Sequence, residues 1–310
     1  MENLKNIDKI LVLDFGSQFT QLIARRIREN KVYSEIHPFN VSMDFIKNFN
    51  AKGIILSGGP SSVYEKDAPK INKELFEIGI PILGICYGMQ LIVHSLGGKV
   101  EKAKKREYGN AEIKIMKNDM IFKSFEKNNI VWMSHGDSIK SIPKGFNLTA
   151  KTSNTNYCAI ENKEKNIYGI QFHPEVAHTK NGIKIIKNFI FDICKCKKNW
   201  NMDSFIEYQI KNIKEIVKDK NVILGLSGGV DSSVAAVLIE KAIGKQLKCI
   251  FVNTGLLRKN EEKKVIEVFR DNFKIDLIYK DGSKRFLNKL KGTHPIIDLI
   301  IEHRLLNKIE

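Results

Sequence analysis

The 310-residue chain has no apolar run approaching the ~20 residues that cross a bilayer, which excludes a helical membrane span. Its polar start, Met1-Glu-Asn-Leu-Lys-Asn6, leads straight toward a strand and is read as carrying no secretion signal. Cysteine is scarce: five residues, odd in number and irregularly spaced, make no disulfide framework. A reducing cytoplasm is the expected setting. Cys194-Lys-Cys196 is too tightly spaced for a zinc knuckle and has no second pair, so it carries no expected metal. Acid is in deficit, with 35 Asp and Glu against 51 Lys and Arg and a net charge of +16. Aromatic side chains do not interleave with a basic stripe, and the lysines are scattered through predicted helices and turns. The excess is therefore read as solvated helix faces, with no nucleic-acid partner expected.

What is present is enough chain for two domains and, at 43% hydrophobic residues, enough apolar material for their cores. One stretch organises the first half. Ile80 to Ile85 reads as a buried strand, and Met89 to Leu96 as the helix after it. Between them lies Gly84-Ile-Cys-Tyr-Gly88, a Gly-x-Cys-x-Gly pattern, the thiol version of a nucleophile elbow. Only small residues fit two before and two after a nucleophile on so tight a turn. The turn also sets Cys86 at a helix N-terminus, where the dipole favours a thiolate. The bland alternative is a core cysteine at a strand end.

Upstream, strands are predicted at Lys9–Phe15, Val32–His37 and Gly53–Ser57. Helices are predicted at Phe19–Asn30, Ser42–Phe49 and Ala68–Glu77. Such alternation predicts a parallel sheet with helices on both faces, and ligands beyond the carboxyl ends of its strands. Ser57-Gly-Gly-Pro60 lies at one such end, where glycine peptides can turn N–H groups toward an oxyanion. From Gly109 to Ile170 the pattern shifts to short strands and turns, an antiparallel extension. Ser134-His-Gly-Asp137 is read there as a substrate-contacting loop. The last strand ends in Gln171-Phe-His-Pro-Glu175. On an extended segment His173 and Glu175 project to one side, so the carboxylate can hold the imidazole while the imidazole meets a thiol. The bland alternative is a surface pair, and His135 is a rival base.

Together Asp14-Phe-Gly-Ser-Gln18, Ser57-Gly-Gly-Pro60, Gly84–Gln90, Trp132–Asp137 and Gln171–Glu175 resemble the class I glutamine amidotransferases in order and spacing. The Asp14 and Trp132 segments resemble the glutamine-hydrolysing GMP synthase branch. The resemblance implies a flavodoxin-like, mixed-sheet domain over residues 1–197. It implies Cys86 as nucleophile, His173 as base and Glu175 as its orienter. It further implies oxyanion N–H groups from Gly59 and Tyr87, and Gln90, Ser134 and His135 as glutamine-binding residues.

In the second half, a helix is predicted at Met202–Lys218 with Asp203 as its N-cap, then a buried strand at Val222–Leu226. Ser227-Gly-Gly-Val-Asp-Ser-Ser233 follows, opening a helix at Val234. Glycines and hydroxyls before a helix make an anion cradle. The lysine of a Walker A loop is missing, which suits a pyrophosphate leaving group. The string resembles the ATP-pyrophosphatase loop, and with Phe251–Arg258 the GMP synthase version of it. That implies ATP on Ser227, Gly228, Gly229, Val230, Asp231, Ser232 and Ser233, with Mg²⁺ on Asp231, a hard-cation ligand. The implied reaction uses glutamine, ATP and xanthosine monophosphate, with ammonia passed between domains.

The resemblance stops near Gly292, giving an incomplete parallel-sheet ATP-pyrophosphatase domain at 198–292 and a divergent tail at 293–310. Family members continue into a dimerisation domain, so the family homodimer is not expected. A form with glutaminase activity only, or an inactive fragment, is the alternative expectation.

Overall fold

The computed structural model describes residues 7–118 and 120–291. The chain divides into two compact units that meet at Asn201 and Met202. Trp200 keeps the preceding residues in the first unit. It is buried, its backbone N–H donates to the Lys31 carbonyl, and its ring lies against Tyr33. The segment 293–310 read above as a divergent tail lies outside the described residues, as does Gly292.

In the first unit β1 (Lys9–Asp14) is buried through Ile10-Leu-Val-Leu13. Such an unbroken apolar run belongs to a strand covered on both faces. The two faces feed separate cores: Ile10 and Val12 pack on one side, Leu11 and Leu13 on the other. α1 (Thr20–Glu29) buries Ile23, Ala24 and Ile27 and leaves Arg25 in solvent. β2 (Tyr33–Pro38) follows, then α2 (Met43–Phe49), whose first turn is capped by the Ser42 hydroxyl accepting from Phe45 N–H at 3.1 Å. β3 (Gly53–Leu56) and β4 (Ile82–Ile85) are fully buried, and α3 (Tyr87–Ser95) follows β4 directly. Then come β5 (Lys99–Ile115), β6 (Asn128–Ser141), β7 (Asn147–Lys151), β8 (Ala159–Asn162), β9 (Ile167–Ile170) and α4 (Gly182–Lys187). The sheet runs β2-β1-β3-β4-β9-β8-β7-β5-β6. Its first part is parallel through β9, and the rest is antiparallel. This is the mixed-sheet α/β fold expected.

Two local expectations fail. The helix expected at Ala68–Glu77 is reduced to a 3₁₀ segment, Lys73–Glu77. Pro69 disfavours a helical Ala68, and the Asn72 side chain caps the later start by accepting from Glu74 N–H. The Ser134–Asp137 segment is no loop. It lies inside β6, in an antiparallel ribbon with β5 that runs from Lys114↔Asn128 to Lys99↔Ser141. Val131, Met133, His135, Asp137 and Ile139 are buried in alternation, the period-2 signature of a strand.

The second unit holds α5 (Met202–Val217), β10 (Val222–Gly225), α6 (Val230–Ile243), β11 (Leu247–Asn253), α7 (Glu261–Ile266), β12 (Leu277–Asp281) and α8 (Ser283–Leu290). Its sheet is parallel in the order β10-β11-β12. Leu226, Ala236, Cys249, Phe251, Val265, Phe269 and Leu277 form its core. β10 is not buried as expected: its sides alternate, and Ile223 is 71% exposed. Asp203 is not the cap of α5, because the helix already starts at Met202 and places Asp203 in its first turn. α6 opens at Val230, earlier than Val234, so part of the expected loop is helical. Among the described residues no helix is long and apolar enough to cross a membrane.

Candidate active site

β4 ends at Ile85 and α3 begins at Tyr87, leaving Cys86 alone to make the turn. Its backbone takes φ 52° and ψ −106°, a strained conformation for a residue with a side chain. The surroundings enforce it. Cys86 N–H donates to the Ile170 carbonyl at 2.8 Å, and Gly88 N–H to the Ser57 carbonyl at 3.1 Å. A Cβ on Gly84 would come within 2.6 Å of the Gly88 carbonyl, and one on Gly88 would overlap the Leu56 backbone. Neither position admits a side chain.

The sulfur meets groups from two other elements. The His173 imidazole lines the same cleft as Cys86 and interacts with its sulfur. Gln171 Nε2 donates to Sγ at 3.6 Å, and the Ser134 carbonyl lies 3.6 Å from Sγ. His173 Nδ1 sits 2.7 Å from Glu175 Oε1, and both residues are buried. Glu175 Oε2 is buried with no hydrogen-bond partner among the described residues, so the imidazole is the carboxylate's outlet. Burial pulls the His173 pKa down, but Cys86 and Glu175 outweigh it and raise it from 6.5 to about 10.

The His173 backbone is pinned as well. Its N–H donates to the Trp132 carbonyl, its carbonyl accepts from Thr179 Oγ1, and Arg26 Nε donates to the Glu175 carbonyl at 3.1 Å. The Phe19 ring stands edge-on to the imidazole, with centroids 5.4 Å apart.

A cleft of about 600 Å³ opens on the sulfur, beyond the carboxyl ends of β1, β3, β4 and β9. Of the predicted residues, Cys86, His173, Gly59, Gln90, Ser134 and His135 line it together. Glu175 sits behind His173. The Tyr87 ring turns into the core, where its hydroxyl donates to the Pro69 carbonyl and burial pushes its pKa to about 12. Its N–H is the first of α3 and has no intrahelical acceptor. A Cβ on Gly59 would come within 2.6 Å of the Phe15 carbonyl, so the strand end passes there as bare backbone. Gln90 Nε2 donates to the Asp137 carbonyl and to Gln171 Oε1, at 3.4 and 3.2 Å. Tyr64 hydroxyl donates to Asp137 Oδ1 at 2.8 Å on the cleft wall. Gln171, Tyr64, Arg26 and Thr179 carried no role in the sequence. Gln171 stood inside a quoted motif, and for the others no local pattern marks them.

In the second unit, Ser227–Ser233 closes on itself. Ser227 N–H donates to Ser232 Oγ, Gly229 N–H to Ser227 Oγ, and Ser233 Oγ to the Gly229 carbonyl. Gly228 has φ +79°, and a Cβ on it would press Val265 at 2.8 Å. Val230 and Asp231 stand exposed in the first turn of α6. Among the described residues no group of three or more His, Cys, Asp and Glu is placed to hold a metal. One carboxylate beside phosphate oxygens is a usual Mg²⁺ environment. Asp231 therefore fits a cation arriving with a nucleotide, and not one held by protein alone.

Residues 11–193 match the family model "Glutamine amidotransferase class-I", and residues 202–282 match "NAD synthase". The chain is 78% identical over 287 residues to the glutamine-hydrolysing GMP synthase of Brachyspira hyodysenteriae, and 56% identical over 287 residues to that of Acetivibrio thermocellus. Each match covers 93% of this chain and 56% of the relative, so the chain spans about half the length of the curated relatives it matches. Among solved structures, a candidate GMP synthase subunit from Thermoplasma acidophilum is 34% identical with a TM-score of 0.54; the match covers 66% of this chain and 98% of that one. The chain belongs to the class I glutamine amidotransferase family.

Proposed function

We propose that the first unit hydrolyses glutamine to glutamate and ammonia, with Cys86 as nucleophile. The observation that supports this most directly is a thiol on a strained turn, sharing a cleft with an imidazole that a buried carboxylate orients. Cys86 Sγ attacks the side-chain carboxamide carbon, and the carbonyl oxygen takes the charge. The N–H groups of Gly59 and Tyr87 face that oxygen. His173 passes its proton to the leaving nitrogen, and ammonia departs from a γ-glutamyl thioester. His173 then takes a proton from water, whose oxygen attacks the thioester and frees glutamate and the sulfur. Glu175 keeps Nδ1 protonated, so Nε2 faces the reacting atoms. Gln90, Ser134 and His135 line the part of the cleft that receives the amino acid.

The finer reading follows the relatives. The ammonia serves amination of ATP-activated xanthosine monophosphate, giving GMP, AMP and pyrophosphate. Residues Ser227–Ser233 would hold the ATP phosphates, and Asp231 the accompanying Mg²⁺, which would neutralise phosphate charge. Domain limits at about residues 197 and 292 belong to this reading.

Two assays test it. The chain should release ammonia from glutamine, and Cys86→Ala should abolish that release. Pyrophosphate release dependent on xanthosine monophosphate should accompany it if the second unit is a working synthetase. Ammonia without pyrophosphate would restrict the chain to glutaminase activity, and neither would refute both readings.

A further inference from the structure

Glu107 is a buried carboxylate with no part in the chemistry above. It lies on β5, directly opposite His135 on β6, just past the register break between Lys102 and Glu107. Its Oε1 accepts from Thr152 Oγ1 at 2.9 Å and Asn154 Nδ2 at 3.2 Å. Its Oε2 accepts from Thr155 Oγ1 at 2.6 Å and lies 3.3 Å from His135 Nε2, close enough for an ion pair though not aligned as a hydrogen bond. Burial works against its charge, but His135, Thr155, Thr152 and Asn154 outweigh that and hold its pKa down at about 2. It is a carboxylate at any working pH.

The other ring nitrogen of His135 is engaged too. Nδ1 sits 2.8 Å from the Asp137 carbonyl. Both nitrogens thus face protein oxygens, and neither is free for a ligand. The Asp137 carbonyl also accepts from Gln90, and the Asp137 carboxylate accepts from Tyr64 on the cleft wall. One residue before His135 on the strand, the Ser134 carbonyl stands beside the Cys86 sulfur. The His135 ring is therefore a brace between a fixed charge and the strand that lines the cleft.

We propose that Glu107 is a positioning residue for glutamine, acting through His135 to fix the Ser134–Asp137 stretch against the nucleophile. The inference rests on the glutaminase reading. It assigns His135 a supporting part, with substrate contact coming from the strand it holds.

The test compares two reagents on the full chain: a diazoketone analogue of glutamine, which must occupy the cleft, and iodoacetamide, which needs only the thiol. Glu107→Gln should slow labelling of Cys86 by the analogue about tenfold, within the range of coupling between groups in contact, and leave the iodoacetamide rate within about twofold. The KM for glutamine should rise with kcat little changed. The double variant Glu107→Gln/His135→Gln should label no more slowly than His135→Gln alone, because Glu107 acts through that ring. If Glu107→Gln does not fold, Thr155→Val loosens the same carboxylate and is read in the same way. Unchanged analogue labelling, equal losses with both reagents, or additive losses in the double variant would overturn the proposal alone. A wild-type chain whose Cys86 the analogue does not label, or labels with no protection by glutamine, would overturn the glutaminase reading and this inference with it.

Discussion

Replacing Glu175 by Gln isolates one charge in a site otherwise unchanged in shape. Glu175 Oε1 is 2.7 Å from His173 Nδ1, and both side chains are buried. A hydrogen bond between charged partners contributes about 1.5–3 kcal/mol, and burial favours the upper end. At about 1.4 kcal/mol per factor of ten, Glu175→Gln should lower kcat/KM for glutamine hydrolysis about ten- to hundredfold. The loss should fall on kcat, because Glu175 does not line the cleft. The assay is ammonia release followed continuously by a coupled dehydrogenase.

The same substitution has a signature in stability. The folded-state pKa of His173 is raised, from 6.5 to about 10. A raised pKa stabilises the fold fully below the unfolded value, and the contribution is lost as pH rises through the folded value. The difference in Tm between wild type and Glu175→Gln should therefore be full at pH values below 6.5 and shrink toward pH 10. A variant with unchanged kcat/KM, or a Tm gap that widens with rising pH, would refute the triad as described.

Gly88→Ala should cost at least about 1–3 kcal/mol, since the added methyl meets Leu56 backbone that cannot move aside; thermal melting of the chain reads it. Ser57→Ala should cost about 1–3 kcal/mol in denaturant unfolding, because Phe15 N–H loses its buried acceptor at 3.0 Å. Asp231→Asn should weaken ATP binding in magnesium and leave binding in EDTA unchanged, measured by calorimetry. Equal affinities of wild type and variant in magnesium would remove Asp231 from the metal site.

The tight strand-to-helix turn at Cys86 was legible because its causes are local. Gly84, Cys86 and Gly88 are neighbours in the chain, and a steric rule about neighbours needs no tertiary information. The His173–Glu175 pair was legible for the same reason: two residues on extended backbone share a side. The Ser134–Asp137 segment was misread as a loop because its state is set by pairing with β5, whose own length the sequence does not announce. Lysines and glutamates fill Lys99–Glu107, and a charged strand has no apolar alternation to betray it. Glu107 was invisible on the same account, since its four partners lie on β6 and in the turn after β7. The exposed side of β10 shows the converse error. Val222-Ile-Leu reads as buried from composition alone, yet burial requires a covering layer, and Ile223 meets none among the described residues. Chemistry carried by adjacent residues can thus be read from the chain. The groups proposed to hold the substrate in place are fixed by strand register, and only the folded sheet brings them together.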